Sequence, residues 1–263
     1  MKRQFKIAVL SLAMAMLMGI TAYAEGETSE AAIQSTTKAN ISKEGIKTSQ
    51  ETNFKYLFFT PENATENMPL IVYLHGAGTR GTDLNDLLEK DVFAQYLSKA
   101  GKSNVPAYVL MPQCDGTQWE KYKTSVLELI ESTATDFKID RNRISLLGLS
   151  MGGDYAIQIA SEYPEIFSCI MPIVPFSPAN PYAKFEDSQI DTLKNTPILF
   201  VYGSLDRGKS TSDTVIQKIN NAGGKAELIE LPEADHKIVS ETLFQNGKSD
   251  PYALVNWLIS KSK

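Results

Sequence analysis

The sequence predicts an α/β fold in which helices cover both faces of a mainly parallel sheet. Short apolar runs alternate with longer segments whose apolar residues recur every three or four positions, a pattern typical of buried strands and their covering helices. The composition is that of an ordinary globular protein, with 43% hydrophobic and 22% charged residues. Residues 51–263 contain no internal repeat or Gly/Ser-rich linker, so we predict a single domain there.

The strands and helices alternate along the chain. Seven apolar runs are predicted as strands: 54–59, 70–74, 107–111, 144–147, 168–174, 198–202 and 226–230. Five segments with helical spacing are predicted as covering helices: 83–100, 124–137, 151–162, 210–222 and 251–260. Because helices separate most of these strands, the predicted strand pairing is parallel.

The N-terminus resembles a cleavable export signal. It carries three basic residues, Lys2, Arg3 and Lys6. An apolar run of 14 residues follows, and a small-x-small sequence ends at Ala24, as a signal peptidase requires. As a helix this run rises about 21 Å, short of the roughly 30 Å bilayer core. We therefore predict a signal peptide over residues 1–24, a secreted or periplasmic protein, and no stable membrane anchor.

The predicted exported chain is acidic. The full chain has a net charge of −5, and removal of residues 1–24 leaves 23 basic and 31 acidic residues, a net charge of −8. This charge predicts no nucleic-acid partner and disfavours anionic polymers. Residues 25–50 are rich in Glu, Ser, Thr, Lys and Ala, which predicts a flexible leader.

Cysteine and histidine usage limits the chemistry. An exported protein could join its two cysteines, Cys114 and Cys169, in a disulfide. Their predicted places, after one strand and at the start of another, favour two buried thiols instead. The two histidines, His75 and His236, lack ligand-like spacing to a cysteine, so neither a metal site nor a cofactor is expected.

The sharpest motif is a Gly-x-Ser-x-Gly sequence centred on Ser150. It follows the strand predicted at 144–147 and leads into a helical pattern that begins at Met151. Gly148 and Gly152 are expected because a Cβ at either position would collide with the adjacent strand or helix. The sharp turn strains the serine backbone, which is typical of a nucleophile elbow. The alternative is a glycine-rich helix start capped by serine.

A serine nucleophile needs a base and an acid. The chain order serine, acid, histidine selects His236 as general base rather than His75. Asp206 lies four residues beyond Tyr202 and 30 residues before His236, so it is the predicted acid. Four other aspartates are weaker candidates because they lie in irregular or helical segments or directly beside the histidine: Asp187, Asp191, Asp213 and Asp235.

His75 begins a His-Gly-x-Gly sequence directly after the strand predicted at 70–74. In this position, backbone amides turn toward a developing oxyanion. The expected donors are the N–H groups of Ala77 and Met151, with Gly76 in support. We expect His75 to brace the loop rather than transfer protons, and a simple tight turn is the alternative.

With these motifs, the chain resembles serine esterases of the α/β-hydrolase superfamily. Residues 70–81, 111–114, 139–144 and 148–153 resemble the dienelactone-hydrolase-like and poly(3-hydroxybutyrate)-depolymerase-like group, whose members are often labelled peptidases. The resemblance spans about residues 54–260. It implies the α/β-hydrolase fold, a Ser-His-Asp triad and acyl transfer to water, without fixing the substrate.

Several positions depart from the pattern of that group. Thr79 stands where an acidic residue is usual, and Asp154 replaces an aromatic or small residue after Ser-Met-Gly-Gly. Residues 175–181 are not a glycine-rich loop, and residues 207–209, after Asp206, read Arg-Gly-Lys instead of a short apolar stretch. These departures concern the substrate pocket and the acid loop.

Aromatic residues follow two of the predicted strands. Trp119 and Phe176 are the proposed pocket residues, and core packing is the equal alternative. The substrate is expected to be a small-molecule or polymer-linked ester. Two other hypotheses stay open: a serine peptidase or amidase with the same triad, and a non-catalytic binding protein that keeps the fold.

Overall fold

An eight-stranded sheet organises the part of the protein that the computed structural model describes, namely residues 40–99, 105–116, 118–180, 183–245 and 251–263. Its strands are β1 (Asn40–Ile46), β2 (Phe54–Thr60), β3 (Leu70–Leu74), β4 (Tyr108–Pro112), β5 (Ile144–Leu149), β6 (Cys169–Ile173), β7 (Ile198–Gly203) and β8 (Ala226–Leu231). All seven predicted strands are present, and β1 is an additional one.

The strand order is β1-β2-β4-β3-β5-β6-β7-β8. The pairs β1–β2 and β2–β4 are antiparallel, and every other pair is parallel. All residues of β3 through β7 are buried. Successive side chains of a strand point to opposite faces, so both faces of the central sheet are covered, as predicted.

The α-helices among the described residues are α1 (Leu84–Lys90), α2 (Val92–Lys99), α3 (Lys123–Asp136), α4 (Met151–Glu162), α5 (Ile190–Leu193), α6 (Lys209–Asn221), α7 (His236–Thr242) and α8 (Pro251–Ile259). Both α4 and α8 pack on β3, β5 and β6. The helix that follows the nucleophile motif thus lies against the centre of the sheet.

The single helix predicted over residues 83–100 is wrong, because it is broken at Asp91. This residue has extended backbone angles, φ −81° and ψ 132°. Its Oδ1 accepts the N–H groups of Phe93 and Ala94, at 2.9 and 3.1 Å, and its Oδ2 accepts the Tyr73 hydroxyl at 2.8 Å. A carboxylate that caps a new helix start favours a break over a continuous turn.

The flexible leader predicted over residues 25–50 is wrong for its C-terminal part. Residues 40–46 form β1, which pairs along its whole length with β2. Its side chains are mostly exposed, so the segment reads as polar although its backbone completes the sheet edge. The domain therefore begins at or before Asn40 rather than at residue 51.

Two predictions lie outside the described residues: the signal peptide at 1–24 and the leader at 25–39. Within the described ranges, no helix has both the length and the apolar character needed to cross a bilayer.

Candidate active site

Ser150 lies in a sharp turn between β5 and α4. Its backbone angles, φ 54° and ψ −114°, fall where a residue with a side chain is strained. The Ser150 N–H donates to Ile173 O at 2.8 Å, and Ser150 O accepts Asp154 N–H at 3.0 Å. These bonds hold the strained residue between β6 and α4, with its side chain at the carboxyl edge of the sheet.

The glycines around Ser150 are required by close backbone contacts. A Cβ on Gly152 would stand 1.9 Å from Leu74 O, and one on Gly148 would stand 2.2 Å from Gly152 O. Real Cβ contacts never come so close, so β3, β5 and α4 can approach one another only with glycine here. The steric reason given above for Gly148 and Gly152 is confirmed.

His236 lies within hydrogen-bond distance of Ser150. The two side chains are joined by a 3.0 Å contact between Ser150 Oγ and His236 Nε2. The opposite ring nitrogen, Nδ1, lies 3.0 Å from Asp206 Oδ2. Because the carboxylate accepts the Nδ1 proton, Nε2 carries the lone pair that can accept the serine proton.

His236 is the first residue of α7, where the sequence predicted only a loop. The Asp235 carboxylate caps this helix by accepting the Ile238 N–H at 2.8 Å. An aspartate followed by a helical pattern is an N-cap signal, and it was available in the sequence.

Asp206 is the acidic partner of His236, as the sequence order indicated. Its side chain is 1% exposed, and its Oδ1 accepts the Gly208 N–H at 2.6 Å. The four competing aspartates are engaged elsewhere. Asp187 pairs with Lys218, Asp191 pairs with Lys194, Asp213 binds Tyr202 and Lys209, and Asp235 caps α7.

Glycine contacts also bring the acid and base loops together. A Cβ on Gly203 would stand 2.0 Å from Ala234 O, and one on Gly208 would stand 2.3 Å from Pro175 O. Gly203 ends β7 just before Asp206, whereas Ala234 lies two residues before His236. The absence of a side chain at Gly203 therefore allows the loops that carry Asp206 and His236 to touch.

The amides of Ala77 and Met151 stand at the first positions of two helical turns. Ala77 begins the 3₁₀ turn Ala77–Thr79, and Met151 begins α4. N–H groups at such positions have no acceptor within their own helix. Both residues line the same cleft as Ser150, which makes these amides suitable donors to an oxyanion there.

His75 is buried, and its ring is hydrogen-bonded to backbone groups rather than to Ser150, Asp206 or His236. Its Nε2 accepts the Cys114 N–H at 3.0 Å, and its Nδ1 lies 2.8 Å from Gly76 O. Burial lowers the pKa of His75 to about 4, so the ring is neutral near pH 7. It holds the loop before Ala77 to the segment after β4, which is consistent with a bracing role.

Trp119 does not line the cleft, so its assignment to substrate binding is wrong. The side chain is 1% exposed. Its Nε1–H donates to His75 O at 3.0 Å, and the two rings lie 4.9 Å apart. A large aromatic with a satisfied N–H packs well under a long loop. Its neighbour Gln118 lines the cleft instead.

Phe176 is also buried and does not line the cleft, so its substrate-binding assignment is wrong too. Its backbone φ is 60°, and its N–H donates to Asp154 Oδ1. We call residues 174–180 the strap; this segment directly follows β6 and lies against Gly208 of the loop that carries Asp206. Ser177, Ala179 and Asn180, all in the strap, line the cleft where aromatic side chains were expected.

Asp154 holds the strap in place, although in the sequence it stands out only as a departure from the family pattern. It is 4% exposed. Its Oδ1 accepts the Phe176 N–H, and its Oδ2 accepts the Asn180 side-chain amide at 2.6 Å. Burial raises the pKa of Asp154 to about 6. The signal available in the sequence was an aspartate one turn beyond Ser150, in a helix predicted to cover the sheet.

Both cysteines are buried thiols, as the strand positions favoured. Burial raises the pKa of Cys169 to about 12, so this thiol is un-ionised and unreactive near neutral pH. Within the described part of the chain, no three His, Cys, Asp or Glu side chains form a group that could hold a metal ion.

Known proteins resemble this chain in sequence and in fold. Residues 54–177 match the family described as Esterase PHB depolymerase. The matched part, slightly less than half of the chain, is thus similar to that esterase family. The family resemblance predicted from the motifs is confirmed. The matched residues include Ser150 and end before Asp206 and His236, so those two assignments depend on the geometry.

Three relatives illustrate the similarity. A thermostable esterase of known structure is 25% identical over 85% of this chain and 63% of its own, with a TM-score of 0.66. FphF, a fluorophosphonate-binding serine hydrolase of Staphylococcus aureus solved with substrate bound, is 12% identical over 84% of this chain and 99% of its own, with a TM-score of 0.64. Hydrolase acrC of Aspergillus aculeatus is 38% identical over 53 residues, which are 20% of this chain and 12% of acrC.

The chain thus spans less than two thirds of the thermostable esterase and a small part of acrC. The structural neighbours share the α/β-hydrolase fold, so the fold predicted from the sequence is confirmed.

Proposed function

We propose that this protein is an exported serine carboxylic-ester hydrolase that works through an acyl-enzyme intermediate. One observation carries the proposal: Ser150 Oγ, His236 and Asp206 are joined by two consecutive 3.0 Å contacts beside an open cleft of about 470 Å³. The match to an esterase family supports the ester chemistry.

The proposed reaction begins when Ser150 Oγ attacks the ester carbonyl and His236 Nε2 accepts its proton. The Asp206 carboxylate stabilises the imidazolium through Nδ1. The amides of Ala77 and Met151 donate to the tetrahedral oxyanion, and one such donor is worth about 3 kcal/mol of barrier. His236 then protonates the departing alcohol, leaving the acyl group on Ser150.

A water molecule completes the cycle by the same route. His236 accepts a water proton as the hydroxide attacks the acyl-enzyme, and it returns this proton to Ser150 as the acid leaves. Every proton in this scheme moves through one ring nitrogen, His236 Nε2. No cofactor takes part in these steps.

Export is the second part of the proposal. It is supported by the basic residues at positions 2, 3 and 6, the apolar run that follows them, and the small residues before Glu25. Expression of the full chain in a bacterial host tests it directly. Mass spectrometry of the exported protein should give a new N-terminus at Glu25. Retention of Met1 on a cell-associated protein would contradict export.

Hydrolysis of a p-nitrophenyl ester series by the purified protein, with Ser150→Ala in parallel, tests the enzyme assignment. We expect turnover by the wild-type protein and a loss of roughly 10⁶-fold in kcat for the variant. Matched anilides test the peptidase or amidase alternative, which predicts comparable amide cleavage. Equal, negligible turnover by both proteins would favour a non-catalytic binding protein.

A further inference from the structure

The cleft beside Ser150 is bordered by basic side chains although the whole chain is acidic. Its lining residues include three basic side chains, Arg80, Arg207 and Lys237, and one exposed acidic side chain, Asp235. The net charge of the full chain is −5. The residues that line the cleft thus carry more basic than acidic side chains, unlike the chain as a whole.

Each basic residue follows a chain segment that holds the proposed reacting groups. Arg80 comes three residues after Ala77, Arg207 directly follows Asp206, and Lys237 directly follows His236. The backbone positions of these three residues relative to Ser150 are thus set by the same segments that hold Asp206, His236 and Ala77. The three charges approach the cleft from three different elements of the fold.

Carboxylates of the protein neutralise little of this charge. No ion pair between described residues includes Arg80 or Arg207, and Lys237 has only an exposed partner, Glu241, at 3.8 Å. The Asp235 carboxylate, which caps α7, is the one acidic side chain among the residues that line the cleft, against three basic side chains. Most of the basic charge at the cleft is thus available to an incoming ligand.

Arg80 is also held in position by the backbone. Its Nε–H donates to Ala77 O at 3.0 Å, and its Nη1 donates to Gly116 O at 3.4 Å. A guanidinium group has five N–H donors, so these two bonds orient the group and leave others for a ligand. An arginine fixed in this way loses less side-chain entropy when it binds a carboxylate.

We propose that this cleft selects esters that carry a carboxylate group on their acyl or alcohol part. The proposal depends on the ester hydrolysis proposed above and adds a substrate class to it. The basic residues of the cleft attract the substrate anion, and Arg80 pairs with it while Ser150 reacts with the ester carbonyl. The net charge alone disfavoured anionic polymers, whereas the residues that line the cleft favour a small anionic ester.

Two pairs of esters test the proposal. Each pair consists of an ester with a carboxylate group and a neutral ester of similar size and shape. On the acyl side, mono-p-nitrophenyl adipate is compared with p-nitrophenyl hexanoate. On the alcohol side, p-acetoxybenzoate is compared with its methyl ester. We expect kcat/KM to favour the anionic member of at least one pair by about tenfold at low ionic strength. The preference should shrink between about 20 mM and about 0.5 M NaCl because exposed charges are screened.

A charge-matched pair of triple variants locates the effect. In Arg80→Gln/Arg207→Gln/Lys237→Gln, the ratio of anionic to neutral kcat/KM should fall to about 1. The control, Lys90→Gln/Lys138→Gln/Lys218→Gln, removes the same charge from residues that do not line the cleft. The control should keep the wild-type ratio. Circular dichroism of both variants checks that they are folded.

Two results would overturn the carboxylate proposal while ester hydrolysis stands. One is Ser150-dependent turnover with no anionic preference in either pair. The other is a preference that the cleft variant and the control variant lose equally. Turnover of none of the four esters would instead overturn the proposed function, so the two failures are distinguishable.

Discussion

The two halves of the candidate site are built in different ways. The elbow half comprises β5, Ser150, α4 and the loop 75–79, and it is contiguous with fully buried strands. The acid half comprises the Asp206 loop, the start of α7 and the strap, and His236 there is 34% exposed. The comparison indicates that a buried core holds Ser150, whereas contacts between distant loops hold His236.

This difference has a chemical consequence. The nucleophile and the oxyanion amides must be fixed relative to each other, because a displacement of about 1 Å can cost about 10²-fold in rate. The base must release and recapture a proton and admit water, which a more exposed position permits. Apart from Ser150 itself, variants in the elbow half should therefore lose stability, whereas variants of Asp206 and His236 in the acid half should lose turnover.

Asp206→Asn should give the largest effect on the acid half. The amide cannot stabilise the imidazolium or hold the required tautomer of His236, so kcat should fall by about 10⁴-fold with KM little changed. Steady-state kinetics with a p-nitrophenyl ester measures the effect. Asp213→Asn, on α6 and outside the triad, is the matched control and should stay within about twofold. Equal losses in both variants would contradict the assignment of Asp206.

Gly152→Ala should damage the elbow half through folding. The added Cβ would stand 1.9 Å from Leu74 O, so the free energy of unfolding should fall by roughly 3 kcal/mol. Gly78→Ala is the control, since nothing lies within 4 Å of the added atom, and its change should be about 0.5 kcal/mol or less. Urea unfolding measures the free energy of unfolding of both variants. Equal stability of the two variants would show that the contact between β3 and α4 can relax.

Asp154→Asn tests how the strap is attached. Burial raises the pKa of Asp154 from 3.8 to about 6, so the folded state binds this proton more tightly than the unfolded chain. The contribution of Asp154 to stability is therefore present below pH 3.8 and is lost as the pH rises through about 6. An asparagine does not ionise, so the variant does not lose this stability as the pH rises.

The unfolding free energy of Asp154→Asn, relative to the wild-type protein, should thus rise by about 3 kcal/mol between pH 3.5 and pH 7. Urea titrations at several pH values measure it. Asp91→Asn is a companion variant, because burial also raises the pKa of Asp91 to about 6, and it should change in the same direction. A pH-independent difference for Asp154→Asn would mean that the carboxyl is not buried as described.

Trp119→Phe should have the smallest effect. It removes the Nε1–H that donates to His75 O, which should cost about 1 kcal/mol of stability. KM should not change, because Trp119 does not line the cleft. Gln118→Ala, at the neighbouring position that lines the cleft, should change KM with little effect on stability. The reverse pattern would restore Trp119 as a substrate-binding residue.

The same comparison explains how far the sequence could predict the site. The elbow half is encoded by contiguous residues: a buried run, two glycines around a serine, and a helical pattern. The chain order then narrowed the base and acid to His236 and Asp206. Each of these signals depends on spacing along the chain, and spacing is directly visible in a sequence.

The contacts that build the acid half could not be predicted from the sequence. The contacts of Asp154 with the strap, and of Gly203 with Ala234, join residues about 20 to 30 positions apart, and no periodicity reports such pairs. Trp119 and Phe176 were misassigned for a related reason. An aromatic residue in a long loop has the same sequence pattern whether its ring points into the cleft or into the core. Strand β1 was missed because an exposed edge strand has no apolar run.

The most direct test of the account is to find which residue becomes covalently modified. The purified protein is incubated with a fluorophosphonate, and the adduct is located by peptide mass spectrometry. We expect a single adduct on Ser150, with labelling abolished in Ser150→Ala and strongly slowed in His236→Ala. Ester turnover by a protein whose label maps to another residue, or that carries no label at all, would contradict the assignment of Ser150 as the nucleophile.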